Sequence, residues 1–75
     1  MSMTETEWRA RFAGKLSHMI KARGCTQSEF AEEAGISEKS LNRYINGIRT
    51  PKAPILLKLA SAFDCNPLEL LEFEE

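Results

Sequence analysis

Thr26 to Gly47 reads TQSEFAEEAGISEKSLNRYING, and the punctuation of this stretch decides the fold. Thr26 and Ser37 are good N-cap residues, because a side-chain oxygen there can accept from the free amides of a first helical turn. Each opens a segment with helical apolar spacing. Gly35 and Gly47 follow those segments, where a C′ residue must turn left-handed. The stretch therefore predicts two short helices, about Gln27 to Ala34 and Glu38 to Asn46, joined by a tight turn. Ala31, Gly35 and Leu41 fall where a helix-turn-helix needs a small residue, a turn residue and a core anchor. In the second helix Leu41, Tyr44, Ile45 and Ile48 recur at i, i+3, i+4 and i+7, which predicts one core-facing stripe. The opposite face carries Glu38, Lys39, Ser40, Asn42, Arg43 and Asn46.

The same start device recurs outside the stretch, at Thr4 and Asn66. Glu7, Glu29 and Glu69 stand at N3 after Thr4, Thr26 and Asn66, which makes capping boxes or their Asn equivalent. Apolar pairs flank all four caps: Met3 with Trp8, Cys25 with Phe30, Ile36 with Leu41, and Cys65 with Leu70. Such staples fix the angle at which the chain enters a helix. A first helix from about Glu5 to Arg23 carries Trp8, Phe12, Leu16, Met19 and Ile20 on one stripe and ends at Gly24. A fourth runs from about Ala53 to Phe63 after the loop Ile48 to Lys52. Pro51 keeps that loop extended, and Pro54 is tolerable because first-turn amides need no intrahelical acceptor. A fifth starts at Pro67, a preferred N1 residue, and carries Leu68, Leu70 and Leu71. Nothing alternates with period two for long enough to make a strand. The expected fold is all-α, a compact five-helix bundle in one domain spanning 1–75, with residues 1–4 and 73–75 as flexible ends.

A chain of 75 residues buries only about 60% of its unfolded surface, so every core residue counts. Cys25 and Cys65 lie far apart in sequence, with His18 the sole other soft ligand, so neither a disulfide framework nor a metal site is expected. Reduced thiols fit a cytoplasmic protein. The apolar runs are too short for a membrane span, and the polar, acidic N-terminus does not read as a signal peptide. Trp8 reads as a packing residue, Cys25 as a staple and His18 as a partly exposed helix residue. No catalytic constellation or phosphate-cradling glycine loop is legible, so neither an enzyme nor a cofactor is expected.

Formal net charge is −1, which by itself argues against a nucleic-acid partner. The distribution reverses that argument. All ten basic residues lie between Arg9 and Lys58 and face only Glu29, Glu32, Glu33 and Glu38 there, a net of +6. The remaining carboxylates sit towards the ends, and a basic centre with acidic ends suits an oriented binder. In a major groove Arg43 can make a bidentate contact with guanine, and Lys39, one turn earlier, can reach guanine or phosphate. Ser40 and Asn42 can contact bases or backbone. Glu38 can accept from cytosine, but its more favourable role is to complement the positive end of its own helix. Gln27 and the free amides beside it can engage a phosphate. Arg23, Arg49 and Lys52 flank the motif, positions suited to sequence-independent phosphate contacts.

Residues 16 to 71 resemble the Cro and phage-repressor (XRE-type) class of helix-turn-helix domains. Arg23-Gly24, Thr26-Gln27, Phe30-Ala31, Ala34-Gly35-Ile36-Ser37, Asn46-Gly47, Pro51, Leu59-Ala60 and Leu70 carry the resemblance. It implies a lambda-repressor-like five-helix fold, a recognition helix in the major groove and homodimers on two-fold operators. By position it places Gln27, Ser37, Glu38, Lys39, Ser40 and Arg43 towards double-stranded DNA, with Asn46 and Arg49 near the backbone. Many members pair an Arg late in the first helix with a Glu near the end of the third; Ile20 and Ile45 stand there instead, and an apolar contact can replace the ion pair at little cost. Leu68, Leu70, Leu71 and Phe73 offer a candidate two-fold contact, against packing within the protomer. The expected function is a transcriptional regulator, most simply a repressor. The alternative is a protein-interaction module or antitoxin-type partner that keeps the fold.

Overall fold

A computed structural model describes residues 2–72. It contains five helices among those residues: α1 (Glu5–Arg23), α2 (Gln27–Ala34), α3 (Glu38–Ile45), α4 (Ala53–Phe63) and α5 (Pro67–Leu70). The expectations for residue 1 and residues 73–75, including an apolar contact by Phe73, lie outside the described residues.

Local hydrogen bonding sets the helix starts. Thr4, Thr26 and Asn66 each form a complete capping box with Glu7, Glu29 and Glu69. Ser37 caps α3 by accepting from the Ser40 amide at 3.0 Å. At three of the four starts the N′ residue, Cys25, Ile36 or Cys65, is half-buried against the core that contains its N4 partner, Phe30, Leu41 or Leu70. At the first start Met3 remains 38% exposed, so that staple is the loosest.

The boxes titrate. The Thr4 and Thr26 amides and hydroxyls hold the Glu7 and Glu29 carboxyls below the ordinary glutamate value. Because the folded value is the lower one, this stability is fully present above about pH 4.3 and is lost as pH falls through the folded value. Thermal melts from pH 6 to pH 3 should therefore show a smaller acid-induced loss in the Glu7→Gln, Glu29→Gln double variant, whose amides still cap but do not ionise. An equal loss in both proteins would remove the carboxylates from the acid response.

The core is contributed by every helix: Phe12, Leu16 and Ile20 of α1, Phe30, Ala31 and Ala34 of α2, Leu41 and Tyr44 of α3, Leu59 and Ala60 of α4, and Leu70 of α5. Helix α1 packs on α3 and α5, while α2 packs on α3 and α4. Ile20 is buried and Ile45 half-buried on this core, so both positions of the replaced ion pair are apolar and packed. Trp8 stacks on Phe12 one turn along α1, with centroids 4.9 Å apart and planes at 7°.

Three sequence expectations change. Ile48, predicted on the core stripe of the third helix, is 67% exposed. The helix ends at Ile45, Asn46 caps it and Gly47 turns left-handed at φ 69°, so the i+7 position has left the helical path. Leu70, offered as part of a two-fold contact, is 1% exposed within the protomer and unavailable to a partner. Arg23 is the last residue of α1 and is already engaged, as its contacts below show. One helix end had no sequence signal: Asp64 takes the left-handed conformation (φ 55°) after α4, a position glycine fills elsewhere in this chain. A short polar side chain makes that tolerable.

Candidate nucleic-acid interface

The turn between α2 and α3 is closed by backbone alone. The Gly35 amide donates to the Glu32 carbonyl at 3.2 Å and the Ile36 amide to the Ala31 carbonyl at 3.0 Å. Ser37 then caps α3 at once, so the two helices are set at a fixed angle by three residues, and Ile36 anchors them to the core. Lys58 of α4 donates to the Gly35 carbonyl at 3.4 Å, tying the turn to the bundle.

Arg23 holds the far side of α2. Its guanidinium donates to Glu33 at 2.5 Å and to the Ala62 carbonyl of α4 at 2.8 Å, and lies 6.0 Å from the centroid of the Phe30 ring. These partners make it a clamp between α2 and α4 rather than a spare phosphate ligand.

Helix α3 presents the polar face expected of it. Leu41 and Tyr44 are buried, while Glu38, Lys39 and Asn42 are exposed and Ser40 and Arg43 are half-buried. Ser37 donates its hydroxyl to Ser40 Oγ at 2.9 Å. Asn46 Nδ2 donates to the Asn42 carbonyl at 2.8 Å and to Asn42 Oδ1 at 3.0 Å, which leaves the Asn42 amide donors outward and orients that side chain. The sequence treated these four residues as independent contacts; the structure couples them in two pairs one turn apart. Gln27 is exposed at the first position of α2, and Arg49 is exposed in the loop beyond α3.

Lys39, Arg43, Arg49 and Lys52 have no hydrogen bond or ion pair among the described residues, so their charge is available to an anionic partner. By contrast, Arg9 pairs with Glu5 at 3.1 Å, Arg23 with Glu33, and Lys15 donates to the Glu69 and Glu72 carbonyls. Of the six cations with no hydrogen bond or ion pair among the described residues, Arg11 and Lys21 lie on α1, and Lys39, Arg43, Arg49 and Lys52 lie on α3 and the loop that follows it. That loop is fixed at both ends. The Ile48 amide donates to the Arg43 carbonyl at 2.9 Å and the Gly47 amide to the Tyr44 carbonyl at 3.2 Å, a Schellman closure. Further along, Thr50 donates to Glu5 Oε2 at 2.8 Å and Pro51 is buried. A side chain at Gly47 would meet only ordinary contacts, the nearest being the Arg9 carbonyl at 3.6 Å, so glycine is needed there for its positive φ rather than for space.

Arg43, Ile48 and Arg49 line one open concavity of about 370 Å³ on this surface. Sequence reading missed Ile48 as a surface residue. The available signal was Gly47, because a C′ glycine ends the helical register before the next residue is placed.

Among the described residues no cluster of His, Cys, Asp and Glu could hold a metal ion, and no helix is long and apolar enough to cross a membrane.

A family model described as helix-turn-helix (HTH_3) matches residues 16–70. Among curated proteins none matches the chain in sequence. Several solved structures are similar. The HTH_3 family transcriptional regulator from Vibrio cholerae has a TM-score of 0.83 at 24% identity, covering 89% of this chain and 38% of its own. The restriction-modification controller protein C.AhdI from Aeromonas hydrophila has a TM-score of 0.83 at 26% identity, covering 91% of this chain and 99% of its own. The SOS-response transcriptional repressor LexA from Eubacterium rectale has a TM-score of 0.82 at 29% identity, covering 91% of this chain and 72% of its own. The chain therefore spans well under half of the Vibrio regulator and nearly all of the controller protein.

Proposed function

Because the chain belongs to the HTH_3 helix-turn-helix family, we propose that it is a sequence-specific, double-stranded DNA-binding transcriptional regulator, acting as a repressor with α3 in the major groove. The observation that carries this reading is the placement of Lys39, Arg43, Arg49 and Lys52, none with a hydrogen bond or ion pair among the described residues, on α3 and the loop that follows it, while Arg9, Lys15, Arg23 and Lys58 are tied into the bundle. The similarity to a restriction-modification controller protein and to an SOS-response transcriptional repressor supports the regulatory role. A DNA partner makes the cytoplasm the site of action.

In this reading Arg43 and Lys39 read or bracket base edges. Asn42 presents oriented amide donors, and Ser37 and Ser40 approach the backbone as a pair. Gln27, Asn46 and Arg49 contact sugar-phosphate and fix register, since such contacts position the protein without reading sequence. Glu38 sits at the first position of α3, where its charge complements the helix end. The regulator acts as a homodimer whose contact includes the exposed Leu68 (65%) and Leu71 (38%), with the recognition helices about 34 Å apart, one DNA turn.

Fluorescence anisotropy with a duplex selected from a random pool, at several salt concentrations, tests this. Three or four phosphate contacts per protomer give a slope of log affinity against log salt of roughly −5 to −7. Absence of binding even at low salt would overturn the reading in favour of an interaction module that only shares the fold.

A further inference from the structure

Ile48 is the most exposed large hydrophobic residue among those described, and it shares an open concavity with Arg43 and Arg49. Its place is built rather than accidental. The Schellman bond from its amide to the Arg43 carbonyl fixes it beside the last turn of α3, and Gly47 supplies the reversal that turns it outward. Thr50, held by Glu5, and buried Pro51 stop the loop from folding Ile48 back onto the core. Arg43 and Arg49 stand on either side of it in sequence and share its concavity of about 370 Å³, and neither has a partner among the described residues.

An apolar side chain flanked by two guanidiniums suits a partner that is anionic at its rim and apolar at one point within. Duplex DNA offers that combination in the major groove, where phosphates border the C5-methyl group of thymine, the one apolar base substituent there. We infer that Ile48 is a specificity-determining residue that packs on a thymine methyl group next to the base pair contacted by Arg43. Arg43 and Arg49 supply the surrounding charge: Arg43 towards a base edge, Arg49 towards phosphate. This rests on the DNA-binding reading above and adds an apolar base contact to it.

The test uses the whole chain and a duplex recovered from a random pool by the wild-type protein. Each thymine of that duplex is replaced singly by uracil, which removes only the methyl group, and affinity is measured for wild type and Ile48→Ala. One thymine in each half-site should lose about fourfold affinity for the wild type on conversion to uracil, the transfer value of one buried methyl group. The same replacement should leave Ile48→Ala unchanged. The variant's thermal melt should stay within a few degrees of wild type, because the side chain is mostly solvent-exposed. If Ile48→Ala weakens thymine and uracil duplexes equally, the side chain lies against sugar and the inference fails. If the wild type binds tightly but no uracil position matters, the inference fails while the DNA-binding reading stands. If the wild type binds no duplex at low salt, both fall.

Discussion

Phe30→Ala is expected to cost about 3–5 kcal/mol, the range for truncating a fully buried phenylalanine. Phe30 is 0% exposed and its ring stacks on Phe63 of α4 with centroids 4.5 Å apart and planes at 28°. The Arg23 guanidinium, which also bridges Glu33 and the Ala62 carbonyl, lies beside the same ring. The substitution thus empties the point where α1, α2 and α4 meet, in a domain whose total stability at this size is about 4–11 kcal/mol. The melting temperature should fall by at least ~12 °C, and much of the population should be unfolded at growth temperature. Circular dichroism melts with a urea titration measure both. A change below about 5 °C would mean that the surrounding helices collapse into the void, and that the contact with Phe63 is not what joins α2 to α4. DNA affinity of the folded fraction should be little affected, because the side chain does not reach the α3 surface.

Arg43→Ala is expected to do the reverse, sparing stability and removing recognition. Arg43 is half-buried at the base of the polar face of α3, forms no ion pair among the described residues, and shares a concavity with Arg49. A bidentate contact to guanine is worth about 1–3 kcal/mol of discrimination. Affinity for a selected duplex should therefore fall by about 5- to 150-fold, with a much smaller fall for a random duplex. Arg49→Ala should weaken both duplexes alike and reduce the magnitude of the salt slope by about one. An Arg43→Ala effect equal on selected and random duplexes would demote Arg43 to a phosphate ligand and move base reading to Lys39 and Asn42.

Sequence reading succeeded where hydrogen bonding is local. The starts and ends of α1 and α2 fall where the caps and C′ glycines put them, and all three capping boxes form as their spacing requires. It also identified the polar residues on α3, because helical periodicity alone separates Leu41 and Tyr44 from Lys39 and Arg43. It failed at Ile48, where the periodic count was carried one residue past Gly47, and at Arg23, whose partners Glu33 and Ala62 lie on other helices.

The sequence by itself thus determined the five helices, the boundaries that caps and glycine turns mark, and the identity of the polar face of α3, because caps, glycine turns and 3.6-residue periodicity act within a few residues. Only the tertiary structure decided which cations are spent inside the bundle and which remain for a partner, that Leu70 is buried while Leu68 is exposed, and that Ile48 faces outward between two arginines. Those outcomes depend on which helix packs against which, and a contact between residues forty positions apart leaves no periodic mark on the chain.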